Sequence, residues 1–150
     1  MLGYTVPEEA RPGTAIHTAR RWLDQAGHDL DDGEYARAGG RHALACFLAH
    51  QVGEKAVSAF LYASGAERVW GHALADLCED AMTFDTTFDV LKSEAMLLDK
   101  YYLGARYPSA LPGGVPAEAY DAIDSERALR TARDTLEFVA ERIQAIAPKR

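Results

Sequence analysis

Residues 35–65 read YARAGGRHALACFLAHQVGEKAVSAFLYASG. A line of mostly small or apolar side chains recurs there at steps of three and four, through Tyr35, Ala38, His42, Ala45, Ala49, Val52, Ala56, Ala59, Phe60 and Ala63. That spacing is the mark of a helix rather than a strand. Leu44, Phe47, Leu48, Val57 and Leu61 fall on its other faces. A helix that is apolar on most sides is covered by several neighbours, so this segment should be the centre of the fold. Gly65 is a good terminator. The Gly39-Gly40 pair weakens the start, at up to about 1 kcal/mol per glycine.

Working outward, the same spacing continues on both sides. Ile16, Ala19, Leu23, Ala26 and Leu30 predict a first helix near residues 14–31, with Thr14 as its N-cap. Asp31-Asp32-Gly33 reads as a stop followed by a restart. Pro7 and Pro12 mark residues 1–13 as a flexible N-terminal tail. A short helix is expected after Gly71-His72, through Leu74 and Leu77. Phe88, Leu91, Ala95, Leu98 and Tyr102 predict another over residues 86–104. Pro108, Pro112 and Pro116 punctuate a loop, and Pro116 or Ala117 should open the last helix. Its stripe is Leu129, Ala132, Leu136, Val139, Ile143 and Ile146. No proline lies between Thr14 and Tyr107, and no long stretch alternates at period two. The expected fold is all-α, an up-and-down helical bundle of four long helices plus one short helix, forming one domain over residues 14–147.

Composition fits one domain. The chain has 150 residues, 48% hydrophobic and 26% charged, with a formal net charge of −7. A chain of this size buries about 70% of its unfolded surface, enough for a single core. The negative charge argues against a protein that coats DNA, which needs a basic footprint. The acidity is uneven: residues 71–100 hold seven acids against Lys92 and Lys100, whereas 101–116 carry only Arg106. A local site for a small anion therefore stays open around Arg106 or the faces of Arg20, Arg21 and Arg41. No apolar run is long enough for a membrane span. The opening residues lack a basic region followed by an apolar stretch, so no secretory leader is expected. Cys46 and Cys78 lie in apolar helical patterns and read as buried reduced thiols, consistent with a cytoplasmic protein.

Chemical motifs are sparse. HExxH, CxxC, GxGxxG, GxxxxGK[ST] and G-x-S-x-G are absent, as are inward Glu-x-x-His pairs, so no metal, no cofactor and no catalytic residue is assigned. The five histidines read as surface or capping residues. Two groups interrupt the helical pattern. Gln51, Glu54 and Lys55 are either a solvent-facing edge of the central helix or a polar groove where that edge meets another helix. Tyr101, Tyr102, Arg106 and Tyr107 are either a packed helix end, with Arg106 on terminal carbonyls, or a place to stack a base and pair a phosphate.

Four runs follow one another along the chain. They are Ala19-Arg20-Arg21-Trp22-Leu23 with Asp29-Leu30; Ala45-Cys46-Phe47-Leu48-Ala49-His50-Gln51-Val52-Gly53-Glu54-Lys55-Ala56; Gly71-His72-Ala73-Leu74; and Leu98-Asp99-Lys100-Tyr101-Tyr102-Leu103-Gly104-Ala105-Arg106-Tyr107-Pro108. In this order they resemble a stand-alone prokaryotic HEPN domain (higher eukaryotes and prokaryotes nucleotide-binding) over about residues 14–146. The resemblance implies a helical bundle with a short extra helix, a homodimer around a shared cleft, and association with nucleotides or RNA. It also implies pairing with a minimal nucleotidyltransferase in toxin–antitoxin style, where the HEPN partner is a metal-independent endoribonuclease with an Arg-x4–6-His motif near the start of its last helix.

This chain departs from that motif. No histidine follows His72, so Arg106, Arg127 and Arg130 have no partner of that kind. The expectation is a non-catalytic, nucleotide- or RNA-associated module that partners a nucleotidyltransferase. Its ligand-binding candidates are Gln51, Glu54, Lys55, His72, Tyr102, Arg106 and Tyr107. Two alternatives remain. One is a divergent endoribonuclease toxin using His42 with Arg37 or Arg41, or using His72. The other is a structural oligomerisation protein that presents the stripe of its last helix.

Overall fold

The computed structural model of the chain describes residues 12–69 and 73–147. His72 and most of the expected tail therefore lie outside the described residues. Among those described, α1 spans Pro12–Ala38, α2 His42–Ala63, α3 Leu74–Met82, α4 Lys92–Gly104, α5 Pro116–Ala119 and α6 Ala122–Ile146. Short 3-10 turns occupy Thr86–Leu91 and Pro108–Ala110. No strand occurs among the described residues. Four long helices and one short one form the all-α bundle, with α5 as a single extra turn.

The central position of α2 follows from its composition. It packs against α1, α3, α4 and α6. Ala45, Cys46, Ala49, Val52, Ala56 and Val57 are all fully buried. Small side chains on so many faces let four neighbours approach one axis. At the far end Phe60 meets Phe88 at 4.2 Å between ring centroids, and Phe88 meets Phe138 edge-on at 5.3 Å. The stripe of α6 is used here too: Leu129, Ala132, Val139 and Ile143 are buried within the chain's own core.

Several boundaries differ from the sequence expectation: Thr14 lies inside α1, which starts at Pro12, and the segment expected as one helix over 86–104 is a 3-10 turn at Thr86–Leu91 followed by α4 from Lys92. The first helix does not stop at Asp31-Asp32-Gly33; α1 runs on to Ala38. Gly33 is buried inside it, and a Cβ there would lie 2.7 Å from Leu129 Cδ2. Its role is close packing against α6, not termination. The break falls instead at Gly39-Gly40, where Gly40 takes φ 77°. The last helix is also interrupted. After α5, Tyr120 and Asp121 are extended, and α6 starts afresh at Ala122. Asp121 and Asp124 form a capping box there: each carboxylate accepts from the other residue's backbone N–H, at 3.0 and 2.9 Å. No described helix is long and apolar enough to cross a membrane.

Candidate functional site

The candidate residues on α2 do not stay together. Lys55 turns toward α1, where its Nζ lies 2.5 Å from Asp29 Oδ2. Gln25 Nε2 donates to the other Asp29 oxygen at 2.9 Å. Asp29 is only 6% exposed, so this pair is a tie between α1 and α2 rather than part of an open site. Removing one partner of a nearly buried pair strands the other charge. Lys55→Ala should therefore cost about 2–3 kcal/mol in urea denaturation, below the fully buried figure because Lys55 keeps some solvent contact. Replacing both residues by apolar ones of similar size (Asp29→Leu with Lys55→Met) should recover most of that loss. Full stability in Lys55→Ala would remove the structural role.

Glu54, one position earlier, lies on the α4 side of the helix. It lines a groove of about 510 Å³ with His50, Asp99, Lys100, Tyr102, Leu103, Gly104 and Tyr120. Ala73, Ala110 and Leu111 complete the wall. The groove thus joins the middle of α2, the C-terminal half of α4 and the segment that leads into α6. Concave sites of several hundred Å³ suit small ligands.

His50 is not a surface or capping histidine; it is 2% exposed. Its Nε2 donates to Asp99 Oδ1 at 2.9 Å, because a carboxylate only accepts. Nδ1 lies 3.4 Å from the Gln51 side-chain oxygen. Asp99 also accepts the backbone N–H of Leu74 at 2.8 Å and of Ala75 at 3.0 Å. A carboxylate from α4 thereby caps the N-terminus of α3, where Ala73 offers no side-chain cap. One residue ties α2, α3 and α4 together at the groove.

The aromatic candidates form its rim. The Tyr102 ring lies 5.1 Å from His50 and 6.5 Å from Phe47. The Arg106 guanidinium sits 4.5 Å over Phe47 and 5.1 Å from Tyr107. It lies against rings and forms no ion pair with a carboxylate among the described residues, so it can still donate to a ligand. Tyr102 is 44% exposed, and a ligand can reach it. Tyr120 meets Tyr101 edge-on at 5.8 Å, and burial pushes its phenol up from the ordinary tyrosine value.

Glu54, Tyr102, Arg106 and Tyr107 are therefore in or beside one region. Gln51 supports it through His50, and Lys55 belongs to another contact. His50, Asp99, Lys100 and Tyr120 escaped the sequence reading. His50 could have been found from its i, i+4 spacing to Glu54, the step that places two side chains on one helical face. Tyr120 carries no such signal, because it reaches the groove only through the loop. Among the described residues no cluster of three His, Cys, Asp or Glu could hold a metal ion.

A second cluster stands at the start of α6. His42 Nδ1 lies 2.9 Å from Ser125 Oγ. Ser125 is fully buried and donates to Ala122 O at 3.2 Å, so its oxygen accepts from His42. That polarity is the reverse of an activated serine. Arg37 is engaged by Glu126 at 3.5 Å.

Comparison with known proteins gives a consistent result. A family model described as the HEPN domain matches residues 19–143. The crystal structure of TT1696 from Thermus thermophilus is similar at 39% identity and TM-score 0.77, covering 82% of this chain and 96% of that one. ST0689, an archaeal HEPN homologue, is 34% identical with TM-score 0.70, over 83% and 97% of the two chains. A HEPN domain protein from Thermotoga maritima, tm0613, is 29% identical with TM-score 0.54, over 87% and 97%. No curated protein matches the chain.

Proposed function

Because the chain belongs to the HEPN domain family, we propose that it is a cytoplasmic binding module that takes a nucleotide or RNA end in the groove between α2 and α4 and serves a nucleotidyltransferase partner. The observation that carries this reading is the rim of the groove. An exposed Tyr102 ring offers a stacking face, and Arg106 offers a cation already seated over the Phe47 ring. Stacking and a pre-positioned guanidinium are the two elements that hold a base and a phosphate. The lack of an Arg-x4–6-His pair in the last helix supports a module without the family's ribonuclease chemistry.

Calorimetric titration with ATP, GTP and a short RNA tests it. Tyr102→Ala should weaken binding about 5- to 100-fold, the range expected for one lost stacking platform. Arg106→Ala should weaken phosphorylated ligands more than nucleosides. Absence of binding to all three ligands would remove the ligand reading.

Association into a homodimer belongs to the same proposal. Leu44 lies one turn before Phe47 on α2 and is 50% exposed; Leu103 at the end of α4 is 53% exposed. Such side chains beside a groove suit a second copy. A monomer by light scattering at high concentration would count against it.

The endoribonuclease reading keeps one favourable observation. His42 sits beside the first turn of α6 through Ser125, and Arg127 lies two positions further along that helix. RNA cleavage that disappears in His42→Ala would favour it over the binding module.

A further inference from the structure

Four polar side chains in the groove make no hydrogen bond or ion pair among the described residues: the Glu54 carboxylate, the Lys100 ammonium and the hydroxyls of Tyr102 and Tyr120. Their neighbours are differently placed. Asp99 is fully engaged by two backbone amides and His50. Lys55, next in sequence to Glu54, is held by Asp29 on the α1 side. Glu54 therefore brings an uncompensated negative charge into the wall, and a phosphate placed against it would be repelled. The cations are Lys100, which lines the same groove from α4, and Arg106 at its rim; neither forms an ion pair with Glu54.

Gly104 makes room for Tyr120. Tyr120 lies so close to α4 that a Cβ at residue 104 would stand 2.5 Å from its hydroxyl. Glycine is well tolerated at the last position of α4, and the Cβ it lacks leaves the space that this phenol occupies. Burial raises the Tyr120 phenol, so at neutral pH it is a neutral group that both donates and accepts. A partnerless carboxylate is an acceptor only. Together they match a neutral group rich in hydroxyls, whose O–H donates to the carboxylate while its oxygen accepts from the phenol. They do not match an anion.

Resting on the groove reading above, we infer that Glu54 and Tyr120 read the sugar hydroxyls of a ribonucleotide, so that the groove selects ribose over deoxyribose. The base stacks on Tyr102, the ribose faces Glu54 and Tyr120, and the phosphates turn toward Lys100 and Arg106. Gly104 is the positioning residue that lets Tyr120 take its place. The groove's volume of about 510 Å³ fits a mononucleotide rather than a length of polynucleotide.

The test is calorimetric titration of the whole chain with ATP, dATP and a short oligoribonucleotide, in wild type, Glu54→Gln, Tyr120→Phe and Gly104→Ala. ATP should bind about tenfold more tightly than dATP, the worth of one or two hydrogen bonds to a hydroxyl. Tyr120→Phe and Gly104→Ala should shrink that ratio toward one by weakening ATP more than dATP. Glu54→Gln should also reduce the ratio. Equal affinity for ATP and dATP in wild type would overturn the ribose inference and leave the nucleotide reading standing. Tighter binding of both nucleotides by Glu54→Gln would overturn it too, because it would put phosphate beside Glu54. Binding of the oligoribonucleotide without ATP would overturn the mononucleotide assignment. If no ligand binds, the groove reading fails and this inference fails with it.

Discussion

Replacing Asp99 by alanine should lower stability by about 3–5 kcal/mol, a large part of what holds a domain of this size together. The side chain accepts three hydrogen bonds, from His50 Nε2 and from the backbone of Leu74 and Ala75. Hydrogen bonds to a charged acceptor contribute about 1.5–3 kcal/mol each, less than additively when one group makes them all. Truncation also strands their donors. His50 is nearly fully buried and cannot turn to water. The first amides of α3 lose their only described cap. Asp99→Asn keeps the size and one acceptor oxygen, so it should lose roughly half as much. Urea denaturation followed by circular dichroism reads both. A loss below about 1 kcal/mol in Asp99→Ala would show that the joint between α2, α3 and α4 is held by packing alone. The groove uses the same side chains, so weakened ligand binding in this variant must be separated from unfolding.

Stability should also fall steeply as pH rises from 9 to 12. Burial, as the main cause, pushes the Cys46 and Cys78 thiols from 9.0 up to about 12, and the Tyr101 phenol from 10.0 up to about 12. The nearby carboxylates of Asp124 and Asp121 add to the effect on Cys46, and Asp99 adds to it on Cys78. All three groups keep their protons in the folded chain over a range where the unfolded chain has lost them. The unfolded state then binds fewer protons, so the free energy of unfolding decreases with rising pH. The stabilisation is complete below about pH 9 and is lost as pH climbs toward 12. Each group can contribute at most about 1.4 kcal/mol per pH unit. Denaturation midpoints measured at each pH should show this slope. The double variant Cys46→Ala/Cys78→Ala should flatten it by up to two protons. An unchanged slope would place the thiols in contact with water, against their full burial. The same burial should leave both cysteines unreactive toward thiol reagents until the chain unfolds.

The course of the fold was legible in the pattern of apolar residues. The spacing around Ala45, Ala49, Val52 and Ala56 marked α2 as the central helix, and four neighbours do pack on it. Boundaries were less legible. Asp31-Asp32-Gly33 has the composition of a stop, yet Gly33 is a contact with Leu129 on α6, nearly a hundred positions away. Local propensity cannot anticipate which glycine a distant helix will press against. The break between α5 and α6 was missed for a related reason. It depends on Asp121 and Asp124 capping each other, which starts α6 at Ala122 rather than at the expected Pro116 or Ala117.

The candidate site divides in the same way. Tyr102 and Arg106 were visible because aromatic and guanidinium groups one turn apart are unusual at a helix end. Gln51, Glu54 and Lys55 were visible as polar interruptions, but consecutive positions on a helix point about 100° apart. Only the packing of α1 on one flank and α4 on the other decided that Lys55 would be spent on Asp29 and Glu54 left facing the groove. His50 and Asp99 lie 49 positions apart, and their bond exists only because α2 and α4 run side by side. By itself the sequence determined an all-helical bundle and its central helix, because a period of three and four needs no knowledge of neighbours. The tertiary structure decided which polar side chains became ties and which remained free, because pairing depends on distances across helices that no single stretch of chain contains.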